Sequence, residues 1–400
     1  MNILIVEPFA SGHHGKYLQW ITSSIIARGH HIQLGTFKES LDHSAMQEVL
    51  SSCGQNLSVV SEPAQRYASI EGKVWSMARE MLKFRRIMAS LYAEAVQRER
   101  VDMVLLPYLD YCTYALALLG SPFGRTAWSG IVMRSAFHYS SMGVKAPQTR
   151  SDPWKERLFH RLLSSRHLRA LFTIDKTLQE YIHGSGRPHA SRLHYIPDVT
   201  EPMPAMNRQQ ARQLLGIPVS GKVILVYGAL SSRKGIDVLM QATENDAFPS
   251  DVHIVLSGEQ PAEVEDILRS ATADRLRLDY RLHEIKRYLT NAESAAVFSA
   301  ADFVWVGYRR HYLMSGILVQ AASAGLPVIA CEEGLIGWLT RRYRAGIVVS
   351  TSSPPSIARA VKELCDNPEL AHEYGENGRM AYASHTQENV GRIMLDAIEV

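Results

Sequence analysis

Met1-Asn2-Ile3-Leu4-Ile5-Val6-Glu7-Pro8-Phe9-Ala10-Ser11-Gly12-His13-His14-Gly15 opens the chain, and its reading decides the fold. The apolar run at 2–6 is short and continuous, as in a strand buried on both faces. A loop carrying Gly12 and Gly15 follows. A helix is then predicted over 16–28, because Tyr17, Leu18, Ile21 and Ile25 recur at helical spacing. Gly29 suits the left-handed position that closes a helix, and a second strand is predicted at 31–35. Strand, glycine loop, helix and strand in that order begin a doubly wound α/β domain.

The same unit recurs. Strands are predicted at 101–107, 129–133 and 170–173, with a helical stretch at 111–120. Ile196-Pro197-Asp198-Val199-Thr200-Glu201-Pro202-Met203-Pro204 reads as a stiff extended connector. Asn207 then caps a helix running to Leu215, which Gly216-Ile217-Pro218 closes. A second α/β series starts at Val223-Ile224-Leu225-Val226-Tyr227-Gly228, with strands near 253–257, 303–306, 327–330 and 346–349. The expected architecture is α/β, with two Rossmann-like doubly wound domains over 1–200 and 201–385. A C-terminal helix over 386–400 is expected to cross back to the first domain. A cleft at the carboxyl ends of two such sheets is the default ligand site.

Composition bounds the function. The chain has 400 residues, 46% hydrophobic and 21% charged, with 26 Gly and 17 Pro, which excludes wholesale disorder, a collagen-like chain and a disulfide scaffold. Cys53, Cys112, Cys331 and Cys365 are scattered without metal-site spacing, and are expected to be free thiols in a reducing cytoplasm. The N-terminus lacks the basic region of a signal peptide, and no apolar run is long enough to span a bilayer. The net charge of +3 hides an asymmetry: residues 1–200 carry 23 Lys and Arg against 16 Asp and Glu, the remainder 20 against 24. A basic first half suits an anionic surface or ligand, although ordinary scatter gives the same imbalance.

Five segments carry chemistry. Gly12-His13-His14-Gly15 precedes a helix, where glycines admit a ligand to the backbone and the histidines can hold a hydroxyl or pass a proton. A tight turn with solvated histidines is the structural alternative. Gly228-Ala229-Leu230-Ser231-Ser232-Arg233-Lys234-Gly235 follows a strand, and Arg233 and Lys234 would neutralise a diphosphate. It lacks the P-loop order, and a solvated basic turn is the alternative. Ser315-Gly316-Ile317 opens a small-residue helix containing Gln320 and ending at Gly325-Leu326-Pro327, a helix start able to hold an anion or a plain packing unit. Trp154 to Arg169 and Lys73 to Arg100 supply basic helices with apolar faces, able to dock on anionic lipid or to pack on the core. Arg134 and His138 follow a strand of the first half and point to the expected cleft, with a packing role equally open. No zinc spacing, HExxH, Asp-x-Asp or GxSxG occurs, so no metal set and no nucleophile elbow is expected. Nucleic-acid binding is not expected, because no basic run is interleaved with aromatics.

Taken in order, these segments resemble the family 4 glycosyltransferases of the two-domain GT-B architecture, most strongly over 222–380. The glycine loop matches Gly12 to Gly15, and the start of the second domain matches Gly228 to Lys234-Gly235. The end of the family's Glu-x7-Glu segment matches Ser315 to Ile329. Ser299-Ala300-Ala301-Asp302, Ala345-Gly346-Ile347-Val348-Val349 and the Asn367-Pro368-Glu369-Leu370 to Gly378-Arg379 tail also fit. The departures are specific. Tyr312 and Gln320 stand where the two glutamates are expected, Ala229 stands where a phosphate-facing Arg is usual, and the strand-end active-site His falls near Arg134. The resemblance implies two domains facing across a cleft, and transfer from a UDP- or GDP-linked sugar to a glycan or lipid-linked acceptor. It implies retention of configuration without a metal or other cofactor. Candidate catalytic residues are His13, His14, His138 and Arg134. Candidate donor-binding residues are Gly12, Gly15, Gly228, Arg233, Lys234, Ser315, Gly316, Ile317 and Gln320. A cytoplasmic enzyme in contact with the inner membrane face is expected. A catalytically silent scaffold and a sugar-nucleotide epimerase on the same fold are the alternatives.

Overall fold

A computed structural model describes residues 1–10, 14–67, 76–200, 203–204 and 206–399. The chain divides into two compact units. The first holds Met1–Met142, Gln148–Pro197 and Gln387–Val400, and the second holds Gly143–Pro147 and Asp198–Thr386. Residues 143–147, expected in the first domain, fall in the second. The Lys145 carbonyl accepts the Gly334 N–H at 2.8 Å, and its ammonium lies 2.8 Å from Glu332.

In the first unit the elements run β1 (Asn2–Val6), α1 (His14–Ala27), β2 (His31–Phe37), α2 (Ser44–Cys53), β3 (Leu57–Glu62), α3 (Ser76–Arg98), β4 (Met103–Leu106), α4 (Thr113–Leu119), β5 (Ala127–Val132), α5 (Asp152–Leu163), β6 (Leu168–Thr173), α6 (Lys176–Gly184) and β7 (Leu193–Tyr195). All seven strands are parallel, in the order β3-β2-β1-β4-β5-β6-β7. The chain therefore winds outward twice from β1, and the reversal falls between β1 and β4. The apolar run at 3–5 is wholly buried at the sheet centre, as its continuous hydrophobicity requires.

The second unit runs α7 (Arg208–Leu215), β8 (Lys222–Tyr227), α8 (Ile236–Ala242), β9 (Val252–Ser257), α9 (Ala262–Ile267), α10 (Ala271–Leu278), β10 (Leu282–Ile285), α11 (Asn291–Ala300), β11 (Phe303–Val306), α12 (Gly316–Ser323), β12 (Val328–Cys331), α13 (Gly334–Tyr343), β13 (Gly346–Val349), α14 (Pro354–Asp366) and α15 (Pro368–Ala381). Its six parallel strands lie in the order β10-β9-β8-β11-β12-β13, so the reversal falls between β8 and β11. Asn207 caps α7 through the Gln209 and Gln210 amides, and Gly216 closes it in the left-handed conformation. The last helix, α16 (Gln387–Glu399), packs on α1 in the first unit, where Arg28 pairs with Asp396 and Glu399 at 2.7 and 2.8 Å.

Each unit has its own core. One gathers around Leu4, Val104, Trp128 and Phe159, the other around Ile224, Ile254, Trp305 and Ile357. Asp302 pins the base of the second sheet. It is buried, meets Arg212, Arg208 and Lys222 at 2.6, 3.1 and 3.5 Å, and accepts the Val223 N–H at 2.8 Å.

Candidate functional site

In each unit the chemically able side chains collect at the carboxyl ends of the two strands flanking the reversal. There the helices diverge to opposite faces and leave the strand ends open.

In the second unit, the turn after β8 brings Lys234 inward. Its side chain is buried, donates to the Tyr227 carbonyl and to the Tyr308 hydroxyl (3.3 Å), and lies 5.0 Å over the Tyr308 ring. The Trp305 indole N–H fixes the turn by donating to the Lys234 carbonyl at 2.7 Å. Gly228 adopts φ +92°, and a Cβ there would meet Ile317 Cδ1 at 3.5 Å and Lys234 Nζ at 3.6 Å. A methyl on Gly258 would overlap the Gly228 carbonyl, so β8 and β9 also meet closely at this edge. The loop after β11 contributes Tyr308 and His311, whose rings meet edge-on. Burial, together with the Arg233 and Lys234 charges, holds the His311 imidazole below its ordinary value.

Ser315 is buried at the N-cap of α12 in an extended conformation, and its hydroxyl does not cap the helix. The first-turn amides therefore keep their capacity for an anion. One turn on, the Gln320 Oε1 is buried without a hydrogen-bond partner, and both amide atoms of Gln260, after β9, are in the same state. Such groups cost free energy unless a ligand or water meets them. Gly228, Lys234 and Ile317 thus come together around one turn, with Ser315, Gly316 and Gln320 on the helix that carries Ile317. Arg233 is exposed, and its carbonyl accepts the Arg309 N–H at 2.8 Å.

In the first unit, Glu7 follows β1 and is 1% exposed. Its Oε1 accepts the Phe9 N–H at 3.1 Å and lies 3.0 Å from His14 Nδ1. Burial raises the Glu7 carboxyl above its ordinary value, against the lowering effects of His14 and the Phe9 N–H. The His14 ring stacks on Tyr108 at 3.9 Å between centroids, and its Nε2 lies 3.4 Å from the Tyr111 hydroxyl. Asp110, from the same loop after β4, accepts the Met133 and Arg134 N–H groups, each at 2.9 Å. It thereby holds the end of β5 so that the Arg134 side chain stands exposed. Burial raises the Asp110 carboxyl as well.

Two sequence expectations are corrected. Gly15 is not a ligand-facing glycine. It is buried in the first turn of α1, and a methyl there would overlap Ala45 of α2. His138 is not an open strand-end histidine. It is 0% exposed, its Nε2 meets Thr177 Oγ1 at 2.9 Å and Asp175 Oδ2 at 3.3 Å, and Asp175 itself caps α6. That set is a buried packing constellation. Gly12 and His13 lie outside the described residues. Glu7, Tyr108, Asp110, Tyr111, Gln260, Tyr308 and His311 are the site residues that sequence reasoning missed. Their only local signal is a polar or aromatic residue within about five positions after a strand. Among the described residues, no three His, Cys, Asp or Glu side chains gather to hold a metal ion.

Two parallel doubly wound sheets of this kind are the architecture of the GT-B fold. Residues 221–367 match the family described as glycosyl transferases group 1, a match that lies within the second unit. Over 222 residues it is 28% identical to D-inositol 3-phosphate glycosyltransferase of Corynebacterium kroppenstedtii, covering 50% of this chain and 47% of that protein. The chain thus spans about half the length of the curated relatives it matches. Among solved structures, sucrose-phosphate synthase from Thermosynechococcus elongatus superposes with a TM-score of 0.67 at 16% identity, over 100% of this chain and 98% of that one. Anabaena Alr3699/HepE in complex with UDP and glucose superposes with a TM-score of 0.64 at 15% identity, over 100% and 99%. These two likenesses establish the fold.

Proposed function

We propose that the protein is a glycosyltransferase that moves a sugar from a nucleotide-diphosphate sugar, UDP- or GDP-linked, to a hydroxyl of a glycan or lipid-linked acceptor. The observation that carries this reading is the second-unit cluster. The Lys234 ammonium, the glycine turn at Gly228 and the uncapped start of α12 suit a diphosphate, and the unpartnered amides of Gln260 and Gln320 suit the nucleoside. The relatives' names and the UDP and glucose held by the HepE structure support the same donor class.

In the reaction, the bond from the anomeric carbon to the phosphate oxygen breaks, and its electron pair leaves with the nucleoside diphosphate. Lys234 and the α12 amides meet that charge without requiring a metal ion. A bond forms from the acceptor oxygen to the anomeric carbon, and the acceptor proton passes to the departing phosphate. Retention of configuration is proposed on the family resemblance. In the first unit His14, held by Glu7 and stacked on Tyr108, orients the acceptor hydroxyl, and exposed Arg134 attracts an anionic acceptor. Four free cysteines suit a reducing compartment.

The test is incubation of the full chain with UDP- and GDP-linked hexoses, with nucleotide release followed by chromatography. Release from one donor, quickened by a glycan acceptor, is the expected result. Nucleotide binding without release in any acceptor extract supports a silent binding subunit, which Tyr312 in place of a carboxylate favours. Neither binding nor release overturns the reading.

A further inference from the structure

We propose that the outward face formed by α3, α4 and α5 is a docking surface for an anionic lipid bilayer. The last turn of α4 leaves Leu118 and Leu119 each 56% exposed. Two arginines grip that turn from either side. Arg85 of α3 donates to the Gly120 carbonyl at 3.0 Å, and Arg161 of α5 donates to the Ala117 carbonyl at 2.6 Å. The two flanking helices continue the pattern. On α3, Arg79, Leu82, Lys83 and Arg86 share one stripe, with Leu82 41% exposed. On α5, Trp154 is 65% exposed with Arg157 5.1 Å over its ring, and Arg157 and Arg161 extend the stripe.

These apolar groups are not the core-facing sides of their helices. Phe84, Ile87, Met88 and Leu91 of α3, Leu116 of α4 and Phe159 and Leu162 of α5 already fill the core. The acids of both flanking helices are engaged: Asp152 by Lys155 at 3.0 Å, Glu156 by the Tyr181 hydroxyl at 3.1 Å, and exposed Glu80 of α3 lies 3.9 Å from Lys83, which leaves the stripe with a cationic excess from Arg79, Arg86, Arg157 and Arg161. What faces outward is a leucine pair and a tryptophan set among guanidiniums and an ammonium. Aliphatic and indole groups enter the acyl boundary, while long cationic side chains reach the phosphates around them. The charge selects an anionic surface, and the apolar residues select a bilayer over a soluble polyanion. No helix among the described residues is long and apolar enough to cross a membrane, so the contact is made from one side.

The test is flotation of the full chain with phosphatidylcholine vesicles, with and without about a third phosphatidylglycerol, at low and high salt. The chain is expected to bind the anionic vesicles at least about tenfold more tightly than the neutral ones and to release in salt. Leu118→Ser/Leu119→Ser and, separately, Lys83→Gln/Arg86→Gln should each weaken binding at least about tenfold at an unchanged melting temperature. A control removing still more exposed apolar groups of the second unit, Leu278→Ser/Tyr280→Ser, should bind as the parent does. No binding to anionic vesicles, binding unaffected by the leucine pair, or self-association that the leucine pair abolishes would each overturn the proposal. None of these results depends on sugar transfer.

Discussion

Lys234→Met is the substitution that most directly probes the donor site. Methionine keeps much of the stem volume and removes the ammonium. In the folded protein the loss leaves the Tyr227 carbonyl and the Tyr308 hydroxyl without this donor, a cost of about 1–3 kcal/mol. The larger consequence is for ligand. A hydrogen bond to a charged group contributes about 1.5–3 kcal/mol, so a diphosphate that meets Lys234 should bind roughly 10–150 times more weakly to the variant. The assay is thermal shift with UDP, GDP, ADP, TDP and CMP, each protein measured against its own ligand-free melting point so that the stability loss divides out. A ligand at about 100 times its Kd stabilises by about 2.7 kcal/mol; a loss of affinity of about twentyfold leaves about 1.1 kcal/mol. For a unit of this size these are shifts of roughly 5–11 °C and roughly 2–4 °C. One nucleotide should therefore raise the melting point of the parent, and the variant should lose more than half of that shift. An equal shift in both proteins would refute the placement of the diphosphate at Lys234.

Other expectations follow from the same geometry. Asp302→Ala leaves Arg212 buried without its carboxylate, and should cost about 3–5 kcal/mol in urea unfolding at an unchanged slope. Thr290→Ala breaks the capping box of α11 and should cost about 1 kcal/mol. Its partner Glu293 is held down to about 2 by the Arg287 guanidinium and then by Thr290, so its stabilising contribution is present above the ordinary carboxyl range and lost as pH falls through about 2. Melting curves of Glu293→Gln and the parent should therefore converge at that acid end. Glu7 has the opposite sign. Its folded carboxyl sits above the ordinary carboxyl value, so the native state holds the proton more tightly and stability falls as pH rises through that raised value. Glu7→Gln should melt higher than the parent above neutrality, the difference closing below the ordinary carboxyl range, while sugar transfer falls and the nucleotide shift stays.

Much of the fold was legible because its central strands announce themselves. Residues 2–6 and 223–227 are apolar runs that only a strand covered on both faces explains, and Asn207 and Gly216 bracket α7 by cap chemistry alone. The edge strand β3 was not legible, since Leu57-Ser58-Val59-Val60-Ser61-Glu62 alternates weakly and its pairing with β2 supplies what its pattern lacks. The placement of 143–147 in the second unit was not legible, because it rests on single contacts such as that of Lys145 with Glu332 rather than on any periodicity.

The site shows the same division more sharply. Lys234 could be read from its turn, but its partner Tyr308 lies 74 residues on and becomes a neighbour only because β11 pairs with β8. His14 could be read from the β1 loop, yet Tyr108 and Tyr111 join it only because β4 pairs with β1. His138 failed for the converse reason. Its position after β5 suits a site, but the chain turns inward through Phe137 and buries the ring against Thr177. Gln260 after β9 and Arg134 after β5 are exceptions, but most of the site residues follow the strands that flank the reversal of winding. In both sheets those are the first and fourth strands in chain order, the pair that the right-handed crossover sets side by side. Applying that single topological step to the sequence nominates the segments after 106 and after 306, where the missing Tyr108, Asp110, Tyr111, Tyr308 and His311 lie.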